Sequence, residues 1–103
     1  IGLRRNRRLQ GIDGLLAKNR TIIAVQNGIN PQRIVRFTLS PDSRAISDFA
    51  VLAANLPGMD DLTLSTLIDG QPAFISCSGW SKFAGAKEPP PPHTGRIMQI
   101  TLP

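Results

Sequence analysis

The chain has 103 residues, enough for one small domain with its own hydrophobic core. It carries 12 Lys and Arg against 7 Asp and Glu, but four arginines within residues 1–10 account for most of the net charge of +5, so the rest is nearly balanced. The single cysteine excludes an internal disulfide, the single histidine excludes a zinc site built on several histidines, and no apolar run is long enough to span a bilayer.

Residues 1–10 form a basic arm that contains Arg4, Arg5, Arg7 and Arg8. Positive charge on an outer edge strand discourages edge-to-edge pairing, and arginines also pair with the phosphates of nucleic acids. No aromatic residues lie between the arginines, and no base-reading motif follows them. We therefore favour a solvated tail or an outer edge strand over a nucleic-acid interface.

Three β-like runs follow the arm. The second is apolar through Val25, which is typical of a strand covered on both faces, and the third alternates between polar and apolar positions. A polar turn and a Gly- and Pro-containing loop separate the three runs, which are Ile12–Ala17, Thr21–Asn27 and Arg33–Leu39. The next run, Ala45–Leu52, fits a strand or a helix, and after three strands we expect a fourth antiparallel strand.

The second half of the chain repeats this pattern. Asp69-Gly70-Gln71 predicts a hairpin turn, and a long loop, residues 79–94, contains Trp80 and four consecutive prolines that force an extended segment. The strands predicted around them are Leu62–Ile68, Pro72–Ser78 and Arg96–Leu102.

Three short motifs recur in the same order in both halves. Arg96–Leu102 keeps the Arg, Ile, Thr and Leu of Arg33–Leu39; residues 74–79 echo residues 23–28; and Met59–Leu62 echoes Ile12–Leu15. A repeat of this length built of short strands is typical of a propeller blade.

We predict an all-β, propeller-like fold with about two four-stranded antiparallel blades. The first blade spans residues 11–55, and the second, incomplete blade spans residues 56–103 and has no fourth strand of its own. Two blades leave apolar faces uncovered. We therefore expect either part of a longer propeller chain or a ring completed by oligomerisation, in which a homotrimer would supply six blades.

The run Gly11–Leu15, the pair Asn27-Gly28 and the run Arg33–Phe37 resemble the gluconolactonase and senescence-marker-protein type of six-bladed propeller, and the related NHL-like propellers. The C-terminal blades of bacterial members are the most similar. The resemblance implies a divalent metal, often calcium, at the top of a central channel. It also implies an aspartate that acts as both metal ligand and base. Asp13 is the matching position, and its counterpart in the repeat is Asp60.

The resemblance further implies a lactonase-like or sugar-acid-binding unit that hydrolyses a lactone, an internal ester, with help from the metal. One alternative is a non-catalytic propeller module that binds a protein or a small molecule on its rim. A third interpretation is nucleic-acid binding through the basic arm.

Blade geometry places the connection before the inner strand and the loop after the second strand on one rim. The residues expected there are Asp13, Asn27, Asn30, Asp60, Trp80 and His93. Each also has a simpler interpretation: Asp13 before a glycine often caps a turn, and the asparagines and His93 fit turn or loop roles. Trp80 and Phe83 could form an apolar lid over the rim, but we prefer that they pin the long loop onto the blade. Asp60 and Asp61 are adjacent, so at most one of them faces the axis.

Overall fold

The computed structural model describes residues 9–83, 85, 88 and 95–102. These residues form seven β-strands and one short helix, which confirms the predicted all-β class. In chain order the elements are β1 (Ile12–Lys18), β2 (Thr21–Gln26), β3 (Arg33–Leu39), β4 (Ile46–Ala54), β5 (Thr63–Ile68), β6 (Gln71–Cys77), α1 (Trp80–Phe83) and β7 (Arg96–Gln99).

The strand boundaries follow the sequence pattern closely. β3 begins and ends where it was predicted, and β4 is a strand rather than a helix. β1 runs one residue further than expected because the turn to β2 begins at Asn19, whose φ of 56° suits an asparagine. β7 ends at Gln99, three residues before the predicted end at Leu102.

Helix α1 lies in a segment that was predicted to be loop only, so that prediction was wrong in part. The hydroxyl of Ser78 accepts a hydrogen bond from the backbone N–H of Trp80 at 3.2 Å. The N–H of Lys82 donates to the carbonyl of Gly79 at 3.0 Å. These two bonds satisfy N–H groups that a single isolated turn of helix would otherwise leave unpaired.

The strands form two antiparallel sheets. One sheet has four strands in the order β1-β2-β3-β4, and the other has three described strands in the order β5-β6-β7. Consecutive strands are neighbours throughout, so each sheet is a simple meander. The four-stranded sheet has the strand number expected for a blade, and the second sheet lacks a fourth strand within the part of the chain that the structure describes.

The two hairpins fix the register between the halves. Lys18 pairs with Thr21, and Ile68 pairs with Gln71 across a turn in which Asp69 and Gly70 both have positive φ. Corresponding residues are therefore 50 positions apart, from 18 to 68.

This register corrects one sequence-based equivalence. Counted along the strand from the hairpin turn, Thr63 and not Asp60 lies as far from its turn as Asp13 does, although the register shifts fall at different places, between Ile12 and Gly14 in β1 and between Thr63 and Ser65 in β5. The turn sets strand register, whereas the Asp-x-Leu echo lies in the less regular segment before β5.

The two sheets pack through opposite faces. Ile23 and Val25 of the four-stranded sheet lie in one buried cluster with Phe74 of the three-stranded sheet. At an offset of 50, Ile23 corresponds to Ala73, and side chains alternate between faces along a strand. Phe74 therefore lies on the face opposite to that of Ala73. The four-stranded sheet thus uses its Ile23 face and the three-stranded sheet uses the non-corresponding face. Stacked copies of one sheet pack through such non-corresponding faces, whereas a two-fold sandwich would bring corresponding faces together.

The first strands of the two sheets, β1 and β5, lie side by side. Their approach is close at Gly14, where an added Cβ would lie 3.0 Å from the Cα of Leu64. A side chain at position 14 would force β5 to shift, so the glycine allows the two strands to meet. The start of β1 and the segment before β5 consequently lie near each other.

Candidate functional site

A cleft of about 800 Å³ opens where the starts of β1 and β5 meet. We call it the rim cleft. It is lined by Asp13, Asn27, Gln32, Asp61, Leu62, Thr63, Ser78, Trp80 and Phe83. Both sheets, the loop after β2 and helix α1 contribute to it. The sequence predicts Asp13, Asn27 and Trp80 on one rim, and the structure brings these three together.

Asp13 is held from both sheets. It occupies the register shift in β1, and its Oδ2 accepts hydrogen bonds from Asn27 Nδ2 at 2.9 Å and from Thr63 Oγ1 at 2.7 Å. Among the described residues no donor contacts its other oxygen, Oδ1. The carboxylate is exposed and fixed at one oxygen, so Oδ1 keeps its capacity to accept a hydrogen bond from a ligand or water.

Two glycines position Asn27 beside Asp13. The carbonyl of Gly11 accepts hydrogen bonds from the N–H groups of Asn27 at 3.0 Å and Gly28 at 3.1 Å. A Cβ added to either glycine would lie 2.7 Å from the backbone of the other. Only residues without side chains permit this crossing, so the Gly11 and Gly28 pair determines where the Asn27 amide lies.

Two amide side chains from the loop between β2 and β3 form hydrogen bonds with the backbone of Leu62. Asn27 Nδ2 donates to the Leu62 carbonyl at 2.9 Å, and the Leu62 N–H donates to Gln32 Oε1 at 2.7 Å. The Leu62 side chain is buried in the core between the sheets. Gln32 and Thr63 were not singled out from the sequence, because their partners lie 30 and 50 residues away.

Asp61 ties the start of α1 to the cleft. Its Oδ2 accepts hydrogen bonds from both the backbone N–H and the hydroxyl of Ser81. Its carbonyl accepts bonds from the N–H and hydroxyl of Ser78, at 3.2 and 2.8 Å. Asp61 has a positive φ of 54°, which an aspartate tolerates better than most residues. Of the adjacent aspartates, Asp61 is therefore the one at the cleft.

Two aromatic side chains are displayed by α1 at the cleft. Trp80 is 72% exposed and Phe83 is 50% exposed. The sequence-based preference for these residues was that they pin the loop onto the blade. The structure instead shows them largely accessible, with the helix held by Asp61 and Ser78.

The remaining predicted site residues lie elsewhere. Asn30 and Asp60 line a separate cavity of about 210 Å³, and the Asp60 N–H donates to the Ser76 carbonyl at 2.7 Å. His93 lies outside the described residues, as do residues 1–8 of the basic arm. Cys77, at the end of β6, is a free thiol of intermediate burial.

The described residues do not make a complete metal site. Calcium takes roughly six to eight oxygen ligands, several of them carboxylates. No group of three His, Cys, Asp or Glu side chains converges in the described part of the chain. Asp13 and Asp60 line different cavities. We therefore derive no chemical step through a metal, and a metal bound with ligands from elsewhere stays a prediction.

The charge of the rim cleft is negative. Its two ionisable side chains among the described lining residues are Asp13 and Asp61, and no lysine or arginine is among those residues. A carboxylate lowers the potential within a partly enclosed cleft and disfavours anions there. The cleft consequently suits neutral or cationic ligands.

Comparison of the chain with known protein families, curated proteins and solved structures found no match. The resemblance to gluconolactonase-type propellers therefore continues to rest on the sequence motifs alone. The one helix in the described residues is a single turn, too short to cross a membrane.

Proposed function

We propose that the chain is a propeller-type unit whose rim cleft binds a small, uncharged polyhydroxylated ligand, of the sugar or sugar-lactone class. The observation that carries this proposal is the arrangement in one cleft of exposed Trp80 and Phe83 with Asp13, Asn27 and Thr63. The packing of the two sheets through opposite faces supports the propeller part, because successive blades stack in that manner.

Polyols need two kinds of contact, and the rim cleft offers both. The C–H face of a sugar ring packs on an aromatic ring, and Trp80 and Phe83 supply such surfaces. Hydroxyl groups need donors and acceptors together, and carboxylate, amide and hydroxyl side chains line the same cleft. Ligand pockets in general combine apolar surface with a few placed polar groups.

Charge selects among sugar derivatives. A lactone is neutral, whereas the sugar acid formed from it is an anion. Since Asp13 and Asp61 both line the cleft, the anion would meet two like charges. We therefore propose the lactone or the neutral sugar as the bound form, in preference to the sugar acid.

Lactone hydrolysis is a second candidate function, favoured by Asp13 Oδ1, which no donor among the described residues contacts. A carboxylate oxygen within reach of a bound water accepts its proton while the water attacks the carbonyl carbon. Asn27 and Thr63 hold the other oxygen in place, so the base would be oriented before the substrate arrives. A non-catalytic module that binds a protein partner at the same rim is the competing proposal.

The single tryptophan provides the test, since Trp80 lies in the cleft and is the only one in the chain. Titration with a neutral aldonolactone is expected to change its fluorescence saturably, and the aldonate anion is expected to bind at least several-fold more weakly. The Phe83→Ala variant should lose affinity by about 1 kcal/mol, the usual value of an aromatic contact. No saturable change with any neutral sugar or lactone would contradict the proposal.

Hydrolysis is tested separately by proton release above the spontaneous rate. We expect Asp13→Asn to abolish enzyme-dependent release while ligand-dependent fluorescence persists. Asp69→Asn, in the exposed hairpin turn, is the matched control and should leave both unchanged. If the Asp13→Asn variant hydrolyses the lactone at the wild-type rate, Asp13 is not the base. If the wild type binds the ligand but does not hydrolyse it, the chain is a binding module. Repetition with added calcium and with a chelator tests the predicted metal.

A further inference from the structure

We propose that the outer face of the three-stranded sheet docks a second copy of this chain, through the outer face of the partner copy's four-stranded sheet. The first surface, called the free face, consists of Leu64, Thr66, Ile68, Ala73, Ile75 and Ile97. This inference concerns the sheets and does not depend on the ligand proposed for the rim cleft.

The free face is apolar and accessible. Its central residues, Ile75 and Ile97, are cross-strand partners, and Ile97 is 74% exposed. Leu64 and Ile68 are also exposed large hydrophobic residues on this face. Soluble proteins rarely leave contiguous apolar surface of this kind open unless it takes part in an interaction.

A contact already made inside the chain specifies the occupant. At the offset of 50 between the sheets, Ala73 and Ile75 of the free face correspond to Ile23 and Val25. Ile23 and Val25 are buried against the face of the three-stranded sheet that carries Phe74. The Ile23 and Val25 face of the four-stranded sheet is thus covered, whereas the corresponding free face of the three-stranded sheet is open. By the same packing, the free face would be covered by a surface that corresponds to the Phe74 face.

That counterpart is the outer face of the four-stranded sheet, since Phe74 corresponds to Ala24. Ala24, Val35 and Phe37 form its buried centre, on which Leu9, Ile22 and Phe49 already pack, so the part open to a second copy lies around that centre. Leu15 pairs with Ala24 and Val51 pairs with Val35, so these exposed side chains lie on the same face. Both ends of the two-sheet stack therefore present large apolar side chains to solvent.

The contact joins two different surfaces, so it is heterologous and can repeat from copy to copy. Each chain supplies two sheets, and stacked sheets lie about 10 Å apart. Propellers close with roughly four to eight blades, so a closed ring would contain two to four copies. Three copies would give the six sheets expected from the sequence resemblance.

The first test is the solution mass by light scattering or sedimentation equilibrium. We expect the wild type to exceed the mass of one chain and Ile97→Lys to have the single-chain mass. Leu56→Lys is the matched control, because Leu56 is also an exposed large hydrophobic residue but lies in the turn outside both faces. Circular dichroism confirms that each variant is folded. A wild type with single-chain mass would overturn the proposal.

Mixing two blocked variants distinguishes this contact from a symmetric one. Leu15→Glu blocks only the outer face of the four-stranded sheet, and Ile97→Lys blocks only the free face. We expect each variant alone to have the single-chain mass and their mixture to form a 1:1 dimer that stops growing. If Leu15→Glu alone keeps the wild-type mass, the free face binds another copy of itself and the proposal is wrong.

Discussion

Asp13 and Thr63 share a hydrogen bond of 2.7 Å although 50 residues separate them in the chain. The first belongs to β1, an edge strand of the four-stranded sheet, and the second to β5, an edge strand of the three-stranded sheet. Each lies five residues before the last residue of its strand, Lys18 in β1 and Ile68 in β5. A single contact at the base of the rim cleft therefore joins the two sheets.

Removing the hydroxyl of Thr63 is expected to weaken both the fold and the site. Thr63→Val keeps the shape of the side chain but leaves Asp13 bonded to Asn27 alone, so we expect a loss of about 1 kcal/mol in the free energy of unfolding. Urea denaturation measures this loss. Thr101→Val, at an exposed position after β7, is the control and should change stability little. Equal effects of the two variants would contradict the role given to Thr63.

The crossing of Gly11 and Gly28 predicts strong intolerance of a single methyl group. Gly28→Ala would place a Cβ 2.7 Å from the Cα of Gly11, so the backbone has to move, at a cost of about 1–3 kcal/mol. The displaced Asn27 should also weaken ligand binding. Gly95→Ala is the control, because its Cβ would meet nothing closer than 3.7 Å. A Gly28→Ala variant as stable as the wild type would show that the crossing is not required.

Two phenylalanines provide a paired test of the core. Phe74 is 2% exposed between the sheets, so Phe74→Ala should cost about 3–5 kcal/mol, a large part of the total stability of a small domain. Phe83→Ala removes the same atoms from an exposed helix and should cost less than about 0.5 kcal/mol. Thermal unfolding of the two variants compares them directly, and similar midpoints would contradict the packing described for the two sheets.

The turn before β4 contains a carboxyl with a shifted titration. Hydrogen bonds from the Ser40 hydroxyl and the Arg44 N–H lower the pKa of Asp42 below its ordinary value. Because the pKa in the folded state is the lower one, the stabilisation is present above the ordinary carboxyl range. It is lost as the pH falls through the folded-state pKa. We expect Ser40→Ala to raise the pKa of Asp42 in an NMR titration. An unchanged midpoint would contradict the assigned cause.

The strands were predictable because their signals are local. The alternation of Arg33–Leu39 and the Asp69-Gly70 turn depend on neighbouring residues, and both appear as expected. The site was only partly predictable because its contacts are distant in the chain. Choosing Asp61 over Asp60 requires the positive φ of Asp61 and its bonds to Ser81. Helix α1 depends on those same contacts, which the sequence pattern does not reveal.

The Leu62 backbone forms hydrogen bonds with the side chains of Asn27 and Gln32, while its own side chain is buried in the core between the sheets. Sliding one sheet over the other would therefore change the shape of the binding site as well as the packing. A bound ligand that needs this shape would oppose separation of the sheets, and its affinity would add to the resistance against unfolding. Conversely, a substitution in the core between the sheets would weaken ligand binding at the cleft even though the substituted residue does not contact the ligand.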